Sequence, residues 1–84
     1  MTHLVNLVPN RPDFIKGAMF LLKSHMRDHG MDNIDETIET TEKTLLNALH
    51  KKDTNKPTII SLNKEGINYL ITADRMNLNI SVFD

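Results

Sequence analysis

Residues 58–83 read TIISLNKEGINYLITADRMNLNISVF. Thr58, Ile60 and Leu62 alternate with Ile59, Ser61 and Asn63, a period of two that belongs to an extended chain with one buried face. The segment Asn63-Lys64-Glu65-Gly66 has the composition of a hairpin turn, and Ile67, Tyr69, Ile71 and Ala73 resume the alternation on a return strand. A second turn around Asp74-Arg75-Met76-Asn77 leads to Leu78, Ile80 and Val82, which alternate with Asn79, Ser81 and Phe83. Three strands joined by short turns form an antiparallel meander.

Upstream the period changes. Phe14, Ile15, Ala18, Met19, Leu22 and Met26 recur at three- and four-residue spacing, while Lys16, Lys23, Ser24 and Arg27 lie off that line. A helix is expected over about 12–29, opened by Pro12 and Asp13, which suit a first turn, and closed by Gly30. A second helix starts at Asp32 or Asn33, either able to cap it. Asp35, Glu36, Glu39 and Glu42 lie early in it, with His50, Lys51 and Lys52 at its end, the polarity the helix dipole favours. Its apolar line is Ile34, Ile38, Leu45, Ala48 and Leu49, with Thr41 filling one turn. Residues 51–57 read as a loop within the domain. Before the first helix, Leu4, Val5, Leu7 and Val8 around Asn6 make a short strand that ends at Pro9.

The order is therefore β-α-α-β-β-β. Two amphipathic helices and an alternating sheet must bury their apolar sides together, so the expected fold is α+β, a two-layer sandwich with both helices on a mainly antiparallel four-stranded sheet. Residues 1–84 are read as one domain. A chain of 84 residues buries only about 60–65% of its unfolded surface, so its stability is marginal.

A net charge of −1 gives no broad field for steering onto nucleic acid or an anionic membrane. No cysteine is present, which excludes disulfides, thiolate metal sites and cysteine nucleophiles and fits a reducing compartment. No apolar run approaches the roughly 20 residues that cross a bilayer, and Met1-Thr2-His3 begins no signal peptide. A cytoplasmic location is the expectation.

His25 and His29 stand four residues apart on one helical face, a spacing that lets two imidazoles reach one zinc ion. Met26 occupies the position where a zinc protease carries glutamate, and a third ligand has to come from His3, His50 or Asp28. The alternative is a helix C-terminus that favours positive charge. Ser24 adjoins His25, and adjacent helical residues do not face each other, so no catalytic triad is legible. Asp35, Glu36 and Glu39 have an ordinary explanation in the helix dipole. Gly17, Gly30 and Gly66 are scattered and build no phosphate-cradling loop. No cofactor and no enzymatic activity are expected.

Lys51, Lys52 and Lys56 cluster after the second helix and are the candidate phosphate contacts, although no aromatic side chains interleave them as a stacking platform. Leu78, Ile80, Ser81, Val82 and Phe83 offer a different opportunity. Carrying no lysine or proline, the last strand of a meander can present an unblunted edge to another chain; the alternative is an interior strand.

The Leu4–Val8 strand, the Arg11-Pro12-Asp13-Phe14 helix start and the strand after Lys64-Glu65-Gly66 resemble the N-terminal half of a GNAT-type N-acetyltransferase. The resemblance implies an acyl-CoA loop, Arg/Gln-x-x-Gly-x-Gly/Ala, after the fourth strand, where this sequence reaches Val82-Phe83-Asp84. It thus implies a truncated or repurposed scaffold, with no catalytic residue to carry over.

The reading favoured by these observations is a non-enzymatic interaction module: a small inhibitor, adaptor or regulator that docks to a larger protein or to itself, as small phage- and mobile-element-encoded proteins do. The alternatives are a metal-binding protein using His25 and His29, an acetyltransferase-like remnant, and a weak nucleic-acid binder.

Overall fold

The computed structural model describes residues 1–51 and 56–83. The elements are β1 (Thr2–Pro9), α1 (Pro12–Asp28), α2 (Ile34–His50), β2 (Thr58–Lys64), β3 (Ile67–Ala73) and β4 (Asn77–Phe83). They form the expected α+β sandwich in the expected order.

The meander pairs as its alternation requires. Ile60 faces Ile71, which faces Ile80, and Leu62 faces Tyr69, which faces Val82. The β2–β3 hairpin turns on two residues, Glu65 and Gly66, with φ of 51° and 83°. Positive φ at both central positions matches the strand twist, and Gly66 adopts it without the Cβ clash that opposes it in Glu65. The β3–β4 turn is closed by the carboxylate of Asp74, whose Oδ1 accepts from the backbone N–H groups of Met76 at 2.8 Å and Asn77 at 2.7 Å. Those two bonds hold the Asp74 carboxyl below the ordinary value of 3.8. A carboxylate lowered on folding contributes stability that is present above that value and is lost as pH falls through the lower folded-state value. Asp74→Ala is therefore expected to lower the thermal midpoint at pH 7. Asp74→Asn, whose amide oxygen accepts the same bonds, retains most of it and flattens the acid limb of a circular-dichroism titration.

The sheet order is β1-β4-β3-β2. β4 is thus an interior strand, flanked by β1 and β3, and the edge reading of Leu78, Ile80, Ser81, Val82 and Phe83 is corrected. Its lack of lysine and proline has a different cause: an interior strand has no edge to blunt. The edges are β1 and β2. β1 interrupts its pairing with register shifts between His3 and Val5 and between Val5 and Val8. Leu7, with φ of 53°, takes up the second irregularity and is 65% exposed. The bulge brings Val5 and Val8, three residues apart, to the core side, so Leu7 is not the core residue its apolar character suggested.

Both helices cover one sheet face, α1 toward β1 and α2 toward β2. Ile15, Ala18, Met19, Leu22 and Met26 of α1 are buried against Tyr69, Ile71, Ala73, Leu78, Ile80 and Val82. Leu45 and Thr41 of α2 complete the layer, and the Thr41 hydroxyl is satisfied by donating to the Thr37 carbonyl at 2.8 Å. Phe14, expected on the buried line, is 41% exposed. Asn33 occupies the N-cap of α2 but makes no side-chain cap bond, having a left-handed φ of 56°. Lys23 secures that end instead, its Nζ lying 2.8 Å from Asp35 on α2 and holding that carboxyl below its ordinary range.

Candidate protein-interaction surface

His25 and His29 do come together. Their rings stack at a centroid distance of 4.2 Å and an interplanar angle of 26°. His25 Nδ1 shares a 2.7 Å hydrogen bond with the buried Tyr69 hydroxyl, and His29 Nδ1 donates to the His25 carbonyl at 2.8 Å. The Nδ1 atoms of both rings are thereby engaged within the fold, one by Tyr69 and one by the His25 carbonyl. Among the described residues no group of three or more His, Asp or Glu is placed to hold a metal. The structural use of His25 is to cover Tyr69, against which it packs edge-on at 5.5 Å.

Of the three lysines, Lys52 lies outside the described residues. Lys51 is the exposed C-cap of α2. Lys56 is joined by Arg75 in lining a hollow of about 380 Å³, with Asn10, Leu49 and Asp74 among its walls. Arg75 sits in the β3–β4 turn and reaches this place only through the sheet order, so no local pattern announced it.

The sheet face turned away from the helices is chemically distinctive. Its side chains lie in three rungs. Ile59, Thr72 and Asn79 make one, and Ser61, Leu70, Ser81 and His3 make the central one. Asn63, Asn68 and Phe83 make the third. Although 25% of the chain is charged, Lys64 is the one Lys, Arg, Asp or Glu in the four strands. Its register places it on the helix side, where Nζ donates to the Asp32 carbonyl at 2.8 Å. Among the described residues the three outward rungs therefore carry amides, hydroxyls, the His3 imidazole and apolar groups without a single ammonium, guanidinium or carboxylate.

Several of the amides and hydroxyls are already oriented. Asn63 donates to Asn68 Oδ1 at 2.6 Å, Asn79 donates to Ser81 Oγ at 3.2 Å, and Ser81 Oγ shares a bond with His3 Nδ1 at 3.2 Å. Ser81 is only 4% exposed, whereas Ile59 is 64% exposed and Phe83 37%. The residues read as an edge thus divide: Ser81 and Phe83 belong to this open face, while Leu78, Ile80 and Val82 point into the core. What the strand reading missed was the partners of Ser81 and Phe83 on β2 and β3. A count of charges at alternate positions within each strand taken separately, with the phase reset at each turn, would have found them.

Comparisons with known protein families, with curated proteins and with solved structures find no match to this chain. None of the three bears on the acetyltransferase-like pattern.

Proposed function

We propose that this chain is a non-enzymatic protein-interaction module that docks a larger protein on the outer face of its sheet. The observation that carries the reading is the absence of charge across all three outward rungs. A solvated sheet face ordinarily alternates polar and charged side chains outward, whereas interface centres are depleted of charge and keep hydrogen-bonding groups at their margins.

Size supports the same reading. Four strands at ~4.8 Å spacing and seven residues at ~3.4 Å rise give a footprint of about 450 Å². That is the centre of a standard interface of about 800 Å² per partner, the remainder coming from the rim. The exposed Ser61, Asn63 and Asn68 supply adaptable hydrogen bonds, and Leu70, Ile59 and Phe83 supply the apolar anchors. The face is too rich in Asn and Ser for two copies to interdigitate as a sandwich core, so a different protein with complementary donors and acceptors is the better occupant. Nucleic acid is disfavoured there, because neither cations nor a set of stacked aromatics is present.

Leu70→Lys combined with Phe83→Lys places two ammonium groups on the face while leaving the core untouched. Immobilised wild-type chain is expected to retain a partner stoichiometrically from lysate of its source cells, and the folded double variant is expected to lose at least about 90% of it, since an unpaired interfacial charge costs several kcal/mol. Equal retention by both would contradict the reading.

A further inference from the structure

The two free edges of the sheet are unlike. β1 is broken by its bulges, whereas β2, last in the sheet order, pairs with β3 at every residue from Thr58 to Lys64 without a register shift. No proline interrupts β2, and Lys64 at its end is its one charge. A regular, unblunted edge is a template for another strand. The phase of its hydrogen bonds follows from the turns. A two-residue hairpin loop is closed by a hydrogen-bonded pair, here Lys64 and Ile67, so Leu62, Ile60 and Thr58 also bond β3. The bond from the Asp74 N–H to the Asn77 carbonyl, at 2.9 Å, fixes the same phase from the other side of β3. The backbone N–H and C=O groups of Ile59, Ser61 and Asn63 therefore point outward along the open edge.

The side chains at this edge are incompletely covered. The core rungs Ile60-Ile71-Ile80 and Leu62-Tyr69-Val82 are buried at β3 and β4, but Ile60 and Leu62 are only half-buried. Beside them, Thr37, Thr40 and Thr44 of α2 wall a hollow of about 290 Å³. The Thr37 and Thr44 hydroxyls donate back to the carbonyls of Asn33 and Thr40, at 3.0 and 2.9 Å, which turns their methyl groups outward. The edge thus offers backbone hydrogen bonds in one layer and apolar surface in the layer above it.

The register selects the occupant. The outward residues are symmetric about Ser61, so a second β2 laid antiparallel about a two-fold axis there pairs Ser61 with Ser61 and Ile59 with Asn63, and every outward N–H and C=O finds a partner. The same register sets Ile60 opposite Leu62 on the core side, an apolar cross-strand pair that occurs twice, and sets Lys64 opposite Thr58. Moving the axis to Ile60 or Leu62 leaves outward groups unpaired, and parallel pairing sets Lys64 beside Lys64. Helices pack about 8–10 Å apart, which is two strand spacings of ~4.8 Å. With α1 toward β1 and α2 toward β2, the axis therefore brings the second α2 in at the next helix position, against the threonine flank. Glu36, the one charged residue lining that hollow, lies about 12 Å along the helix from its counterpart when the copies run antiparallel about Thr40, beyond the Debye length at physiological salt. We infer that β2 is the seat of a two-fold homodimer in which a second copy of this chain continues the sheet from Ile59, Ser61 and Asn63 and closes the hollow beneath α2.

The interface is isologous and falls at the small end of specific interfaces, so the dissociation constant is expected on the order of 10 μM. Joining two four-stranded sheets edge to edge also doubles the uncharged outer face without covering it.

Analytical ultracentrifugation across about 1 μM to 1 mM tests the assignment. The wild type is expected to pass from monomer to dimer in that range. Ser61→Pro removes an outward N–H that β3 does not use, so it is expected to stay monomeric throughout with an unchanged circular-dichroism spectrum. Ser61→Lys and Ser61→Glu each set like charges against one another across the axis and are expected to weaken association by about three- to fivefold; mixed in equal amounts, they are expected to associate at least as tightly as the wild type. That pair reports on the axis however the strand tolerates proline. Leu70→Lys with Phe83→Lys, on the outer face, is expected to leave the dimer intact, so this inference and the proposed docking function fail separately. A wild type that stays monomeric to about 1 mM, a dimer indifferent to Ser61→Pro, or a mixture of the lysine and glutamate variants that associates no better than either alone would each overturn it.

Discussion

Tyr69→Ala is expected to remove a large part of the domain's stability at 25 °C. Tyr69 is fully buried, at 0% exposure, in the central part of the sheet. Its ring meets the His25 imidazole edge-on, and its hydroxyl bonds His25 Nδ1 and, at 3.8 Å, Met31 Sδ. It thereby links β3 to the end of α1 and to the connection between the helices. Removing an aromatic ring from such a site costs about 3–5 kcal/mol through lost transfer energy and the cavity left behind. A domain of this size has only about 4–12 kcal/mol in total. Tyr69→Phe keeps the ring and removes the hydroxyl, at a cost of about 1–2 kcal/mol from the polar groups left without it. Urea unfolding measures both: Tyr69→Phe shifts the midpoint with the slope unchanged, and Tyr69→Ala lowers it about two to four times further.

The second large effect distinguishes the two faces of one strand. Ile80 and Phe83 lie three residues apart on β4, yet Ile80 is at 0% exposure beneath the helices and Phe83 lies on the open face. Ile80→Lys buries an ammonium with no carboxylate to pair it and removes packed volume at once, a loss of more than about 4 kcal/mol that abolishes cooperative unfolding. Phe83→Lys sets its ammonium in water and shifts stability by only about 0.5 kcal/mol. Thermal melts of the two variants check this directly. Comparable tolerance of lysine at both positions would mean that β4 is not the covered interior strand described here.

The alternation of residues 58–83 made the meander legible because each strand has one face buried and one face open, and a single register then satisfies all three. Helix α1 was legible for the same reason at its own period. Strand order was not. Placing β1 beside β4 joins residues nearly 80 positions apart, and Leu4, Val5, Leu7 and Val8 follow no strict alternation because the chain bulges between them. The edge reading of Leu78, Ile80, Ser81, Val82 and Phe83 failed for that reason, and its alternative, an interior strand, held. Phe14 misled because α1 is apolar on two sides, and spacing alone does not say which of them the sheet covers. The histidine pair was correctly brought together by helical geometry, but its pairing with Tyr69 depends on a contact 44 residues away.

In the proposed function, the uncharged sheet face is where this protein meets its partner. Site-specific photo-cross-linking in source cells tests it most directly, with a photoreactive side chain at Leu70, in the central rung, and the same group at Glu39, exposed on α2. One dominant heterologous adduct is expected from position 70 and none from position 39. Adducts from position 39 alone, or of equal yield from both, would contradict it.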